Sequence, residues 1–423
     1  MIYHQLGTIP RKRHTVFRQQ NGQLYAEELM GNKGFDGLSS LIYHVHQPTG
    51  VRRVRLVREL TWDGDKEQTF HHRHFRTGQL PQTCSPTLDR IPLLFNNDVA
   101  ISFVRPQAGD DVFYRNAQGD EIVFVSEGAG VLESLFGDLP FGRGDYLVIP
   151  RGIVHRYRFS PAQAGRALRL AAEDRAARSG QASEGTGAGA EALPAPPAQP
   201  DIRLLVIESA GDVRTPRRYR NEHGQLLEQS PYSERDIRRP AVLQTHDETG
   251  DFPVLVKKDN RVVEFVLAHH PFDAIGWDGY YYPWALNIAD FEPRVGRFHL
   301  PPPTHQTFEG DGFVVCSFCP RPYDFDPQAV PVPYNHSNVM SDEVIYYASS
   351  EFMSRRGIEY GSITLHPDGI AHGPHPGLTE QSLGQKRTDE LAVMLDSFRP
   401  LRPSAQAVAV EDPGYQTSWI EQR

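Results

Sequence analysis

Gly361-Ser362-Ile363-Thr364-Leu365-His366-Pro367-Asp368-Gly369-Ile370-Ala371-His372 follows the pattern G-x5-P-x-G-x2-H: a glycine turn, a strand-length run, a tight turn and a histidine. Ahead of it stands Asn335-His336-Ser337-Asn338-Val339-Met340-Ser341-Asp342-Glu343, which leads straight into Val344-Ile345-Tyr346-Tyr347. Proline and glycine punctuate the turns, and the β-branched and aromatic runs between them predict strands. His336, Glu343 and His372 are then expected to converge from neighbouring strands. Two imidazoles and one carboxylate on one face of a metal leave positions free, a set that suits Fe(II) holding O2 and substrate together. Glutamate is seldom buried without a partner, so one that opens an apolar run speaks for a ligand. The competing reading makes the three ordinary surface or turn residues. Asp342 is the rival carboxylate. Asn338 carries an amide, a poor iron ligand, and is expected to steer hydrogen bonds around the site. His366 and His375 are assigned to the pocket wall.

The same spacing occurs once before. Gly144-Asp145-Tyr146-Leu147-Val148-Ile149-Pro150-Arg151-Gly152-Ile153-Val154-His155 repeats it, and Asp120-Glu121-Ile122-Val123-Phe124 parallels Asp342-Glu343-Val344-Ile345-Tyr346. Aligning the two Asp-Glu pairs sets Tyr114 against His336, so the first copy keeps the turns and loses a ligand. The segments match the paired motifs of the cupin barrel. The expected fold is therefore mainly β: two cupin (jelly-roll type) β-barrel domains with few short helices, and one metal site. Glu121–Val125, Asp145–Ile149, Ile202–Ile207, Phe313–Phe318 and Val344–Tyr347 are the clearest strands. Leu391, Met394 and Leu395 fall on one helical face and predict a helix from Thr388 to Ser397.

With 423 residues the chain can hold two domains. Gly 36 and Pro 34 favour turns and short strands. Residues 1–160 are expected to form an N-terminal barrel without metal ligands. Residues 161–200, rich in Ala, Gly, Glu, Ser and Pro, read as an insertion or linker, with a short helix over Ala164–Ala177 and too little apolar surface beyond it to order itself. Residues 201–423 then complete the first barrel and build the metal-binding barrel over about 265–400. A net charge of -9 with no sustained basic tract argues against nucleic acid, and Arg52-Arg53-Val54-Arg55 reads as one face of a strand. The 3 cysteines, Cys84, Cys316 and Cys319, give no disulfide framework or four-cysteine metal site, and Cys316 falls in a buried-strand pattern. No apolar run reaches membrane-spanning length, and the N-terminus lacks signal-peptide character. A reducing cytoplasm is the expected location.

The chain resembles the homogentisate 1,2-dioxygenases over most of its length. Leu24-Tyr25-Ala26-Glu27-Glu28-Leu29, His270-Pro271-Phe272-Asp273-Ala274-Ile275-Gly276-Trp277-Asp278-Gly279, Tyr334-Asn335-His336-Ser337-Asn338 and His372-Gly373-Pro374 carry the resemblance. It implies Fe(II)-dependent ring opening of homogentisate to maleylacetoacetate in tyrosine and phenylalanine catabolism, on a two-barrel fold that binds iron in the C-terminal barrel alone. By motif the iron ligands are His336, Glu343 and His372, and His366 lines the substrate pocket. Where the family has a substrate-holding tyrosine this chain has Phe352, with Tyr346 and Tyr347 close by. His299, or its rival His305, answers to the acid/base histidine. The resemblance also implies a homo-oligomer, a trimer or hexamer. Substrate contacts are accordingly expected from His366, Tyr346, Tyr347, His372 and His375, and a substrate carboxylate would call on Arg297, Arg321, Tyr346 or Tyr347. The rival readings are a zinc or manganese isomerase on the same barrels, or a cupin that binds a small molecule or partner without catalysis.

Overall fold

The computed structural model describes residues 2–34, 36–66, 69–159, 201–349, 352 and 354–420. The Ala/Gly-rich stretch at 161–200, with the helix expected in it, lies outside the described residues.

Strands dominate because the apolar runs are β-branched and short, with glycine and proline common in the turns between them. The first barrel is built from two seven-stranded sheets. In one, Phe113–Asn116 lies between Val154–Arg158 and Thr249–Lys258. In the other, Asp120–Glu127 is central, flanked antiparallel by Asp145–Ile149 and Arg203–Ser209. Both faces of that central strand are covered, as the unbroken run Ile122-Val123-Phe124-Val125 requires. One core joins the two sheets, with Leu132, Tyr157 and Val254 from the first meeting Phe124, Tyr146 and Val206 from the second.

The second barrel rests on a six-stranded sheet in the order Gln306–Gly310, Phe313–Phe318, Ala392–Ser397, Asp342–Tyr347, Ser362–His366 and Arg73–Arg76. A four-stranded sheet places Ala274–Gly279 between His4–Gly7 and Asp36–His44. There the Trp277 indole, buried in the core, donates to the Phe136 carbonyl at 2.9 Å. The described α-helices are short, Leu378–Ser382 and Ala405–Val408. A mainly β chain with few short helices is what the sequence predicted.

One expectation needs correcting. Thr388 to Ser397 is not a helix: Ala392–Ser397 is a strand paired on both sides. Met394 packs with Cys316, Ile345 and Tyr347 on one face, and Leu395 joins the main core on the other. A strand buried on both faces carries apolar residues at every position, and these mimicked a helical stripe. Edge strands also cross between the two barrels. Arg73–Arg76, from the N-terminal part, closes the edge of the second barrel's sheet. Arg402–Pro403, near the C-terminus, closes the edge of a first-barrel sheet. Exchanging edge strands satisfies backbone groups that would otherwise be open. Val51–Glu59, which contains the arginine run, is an edge strand exposed along its length.

Candidate metal centre

The Asp342–Tyr347 strand points alternate side chains to opposite faces. Glu343, Ile345 and Tyr347 face the interior of the second barrel, while Val344 and Tyr346 face the core shared with the first. His336 and His372 form an isolated bridge, each backbone amide donating to the other's carbonyl at 2.8 and 2.9 Å. That pairing sets their rings 4.3 Å apart. Ligand atoms of His336, Glu343 and His372 all lie within 4.8 Å of one another. His336 Nε2 is 3.3 Å from Glu343 Oε2, and His372 Nε2 is 3.3 Å from Oε1. His372 is fully enclosed and Glu343 nearly so, whereas the His336 side chain is 37% exposed, so the site opens on that side.

The protonation pattern tests whether a cation fits. His372 Nδ1–H donates to the Ile370 carbonyl at 3.1 Å, which leaves a lone pair on Nε2. That Nε2 is buried with no hydrogen-bond partner, and it faces a carboxylate. Two acceptors confronting each other in a dry site call for a positive ion between them. A divalent metal satisfies both, and the carbonyl behind Nδ1 is the usual brace of a ligating imidazole. The residues fit a metal.

His366 braces the carboxylate from behind. Its Nδ1–H donates to Glu343 Oε1 at 2.8 Å, and its Nε2 accepts from the Tyr415 hydroxyl at 3.0 Å. Its ring stacks on His372 at 4.5 Å. Burial raises the Glu343 carboxyl, yet hydrogen bonds from His336 and His366 outweigh it and hold the group well below the carboxylate range. Burial takes His366 down to about 3, so this ring stays neutral and fixed as a donor to Glu343.

Asp342 points elsewhere. It accepts the backbone amides of Asp368 at 2.9 Å and Leu401 at 2.7 Å, locking the hairpin to the chain beyond the sheet. Asn338 contributes its backbone carbonyl, which takes the Gly369 amide at 2.7 Å. Gly361 and Gly369 have φ of 82° and 71°, a left-handed conformation that explains why the motif needs glycine there.

The remaining expected residues scatter. Tyr347 shares Glu343's face and meets Thr364 Oγ1 at 3.1 Å. Tyr346 does not join the site; its hydroxyl donates to Ser126 at 2.7 Å on the opposite face. His375 lies against Trp419, with Nδ1 taking the Arg356 amide at 2.9 Å and Nε2 3.0 Å from the Ser418 hydroxyl, so both ring nitrogens are occupied. His299 sits at the open side, its Nε2 3.3 Å from the Tyr334 hydroxyl, and the Tyr334 ring is 5.9 Å from His336. His305 is turned to the Ser317 carbonyl at 3.3 Å, and burial, helped by Arg321, takes it down to about 3. Arg297 and Arg321 are paired with Asp326 and Glu390.

Several neighbours escaped the sequence reading. Asp396 is the register partner of Glu343, and one of its oxygens is buried without a partner. Burial, then repulsion from Glu343, raises its pKa to about 7. His72 lies edge-on to His372 at 5.9 Å, and Trp419 lies 5.1 Å from His72. Arg355 is 7% exposed, donates through Nη1 to the Ser354 and Gly373 carbonyls, and has a buried Nε without a partner. Among the described residues it has no carboxylate partner. None of these belongs to a motif; His72, Asp396 and Trp419 arrive from other segments, and Arg355 from the loop between the two motif segments.

No family model matches the chain. A protein of Saccharolobus solfataricus named "Putative dioxygenase SSO1533" is 39% identical over 422 residues, covering 99% of both chains. Solved structures resemble it loosely. A cupin 2 conserved barrel domain protein from Leptotrichia buccalis has a TM-score of 0.32 at 9% identity, over 78% of this chain and 99% of that one. A mutant of Bacillus subtilis oxalate decarboxylase has 0.31 at 11%, over 78% of each. Superpositions this loose carry no argument, and the weight rests on the full-length sequence match. The chain belongs to the same dioxygenase family as the Saccharolobus protein.

Proposed function

We propose that the protein is an Fe(II)-dependent ring-cleaving dioxygenase that opens a hydroquinone carboxylate of the homogentisate kind, adding both atoms of O2 to give maleylacetoacetate. The observation that carries this reading is the His336/Glu343/His372 set, closed by protein on the His372 side and open at His336, in a chain of dioxygenase kinship. Ferrous iron on those ligands would supply the electron path that lets O2 react with a closed-shell ring. The protein's own groups do the rest. His366 and the Ile370 carbonyl hold Glu343 and His372 in a fixed orientation before any substrate arrives.

His299 is the group that takes the phenol proton. Its Nδ1 is 3.7 Å from Asp324, which orients the ring, and Tyr334 stands between its Nε2 and His336. An imidazole is a side chain that can both accept a proton and return it. His305 is the weaker candidate because its ring is buried and turned to a backbone carbonyl. Arg355, already desolvated over the Trp419 ring at 5.6 Å, is the cation suited to a substrate carboxylate. Tyr347 and Phe352, in edge contact at 4.7 Å, offer an aromatic wall. Exposed Val54 and Leu56 on the Val51–Glu59 edge strand suit the homo-oligomer that the family resemblance implies.

The test is oxygen uptake by anaerobically iron-loaded protein with homogentisate, gentisate and unsubstituted hydroquinone. Uptake with homogentisate alone supports the reading. Uptake with gentisate alone moves the substrate. Tight zinc binding with no uptake on any of the three favours a metal isomerase.

A further inference from the structure

The contacts that frame the metal centre recur in the first barrel. Tyr114 and His155 are register partners, as His336 and His372 are. His155 Nδ1–H donates to the Ile153 carbonyl at 3.0 Å, matching the 3.1 Å bond from His372 to Ile370. In both rings Nε2 is buried without a partner. The Gly152 amide donates to the Asn116 carbonyl as Gly369 does to Asn338, each at 2.7 Å. Asp120 accepts the amides of Arg151 and Val213, each at 2.9 Å, the role Asp342 plays in the second barrel. Glu121, wholly buried, stands where Glu343 stands.

What differs is the partner of the glutamate. The Arg90 guanidinium grips both Glu121 oxygens, Nη1 to Oε1 at 2.7 Å and Nη2 to Oε2 at 2.8 Å. Its carbon lies 5.8 Å from the centre of the Tyr114 ring. Side-chain exposure is 10% for Arg90 and 0% for Glu121.

We infer that Arg90 takes the place of a metal ion in the first barrel, and that a latent divalent-metal site lies beneath its guanidinium. A buried carboxylate needs a cation. A guanidinium supplies one that never leaves and never loses its proton. Tyrosine in place of the second histidine withdraws a nitrogen donor and presents an aromatic face to that cation. The glutamate and the braced histidine with its free Nε2 are what remains of a metal set. The first barrel thereby keeps its hairpins tied whatever the metal supply, while the second depends on a bound ion.

The test is the double variant Arg90→Ala/Tyr114→His, titrated with Co(II) beside its parent. Cobalt is counted by elemental analysis and its ligand-field bands are recorded. The double variant is expected to bind one equivalent more than the parent, whatever number the parent binds, so the result stands apart from the reaction proposed above. It is also expected to melt higher with Co(II), whereas Arg90→Met/Glu121→Gln shows no first-barrel gain. A double variant that folds and binds no more cobalt than its parent overturns the inference. So does one that stays insoluble with Co(II) present, since a bound ion should restore the lost charge balance.

Discussion

His372 Nε2 and Glu343 Oε1 stand 3.3 Å apart, and in the neutral ring they have no hydrogen to share, because its one proton is committed at Nδ1 to the Ile370 carbonyl. Without a cation, the centre therefore holds a lone pair against a buried carboxylate. Metal-free protein is expected to be less stable than loaded protein by about 4 kcal/mol when free metal exceeds its dissociation constant about a thousandfold. Thermal melts with and without chelator measure this. A melting temperature that ignores the chelator contradicts it.

His366 is read as a brace for Glu343 rather than a ligand. Replacing it by Ala should weaken metal binding about 10- to 100-fold without abolishing it. His366→Asn, which keeps a donor on that side, should recover part of the loss. Competition titration with a chromophoric chelator gives the constants. Loss as complete as that of His372→Ala would make His366 a ligand.

Asp396 carries a pKa raised to about 7 by burial and by Glu343 across the strand pair. A carboxyl raised in the folded state costs stability as pH climbs from its ordinary value through the raised one, and the penalty is full above it. In metal-free protein, Asp396→Asn should therefore be stabilising, by up to a few kcal/mol at pH 8 and by much less at pH 4. Denaturant midpoints at the two pH values decide the matter; a gap that does not change with pH argues against the assignment.

His44 gives the opposite sign. Burial alone would lower it, but hydrogen bonds to Asp273 at 2.7 Å and Glu28 at 3.1 Å outweigh that and raise its pKa to about 9. Its stabilisation is complete below the ordinary histidine value near 6.5 and is lost as pH rises through 9. The contribution is at most about 3 kcal/mol. Wild type should lose more stability between pH 6.5 and 9.5 than His44→Gln, as followed by thermal melts. Parallel curves would remove His44 as the cause.

The hairpins were legible because their chemistry is local. Gly144, Gly152, Gly361 and Gly369 all have left-handed φ, and only glycine adopts that without strain. The strand Ala392–Ser397 was misread because burial on both faces erases the period of two on which a strand assignment depends. Asp396, His72, Tyr415 and Trp419 were invisible for another reason. They meet the centre through sheet register and through the packing of both ends of the chain, which no spacing along the sequence records.

The central claim is that one ferrous ion is held by His336, Glu343 and His372. Anaerobic Fe(II) titration of wild type and of His336→Ala, Glu343→Ala and His372→Ala, with iron counted per folded chain, measures it most directly. One equivalent in wild type and none retained by the three variants is the expected result. Variants that keep iron as wild type does, or a wild type that binds none, would contradict it.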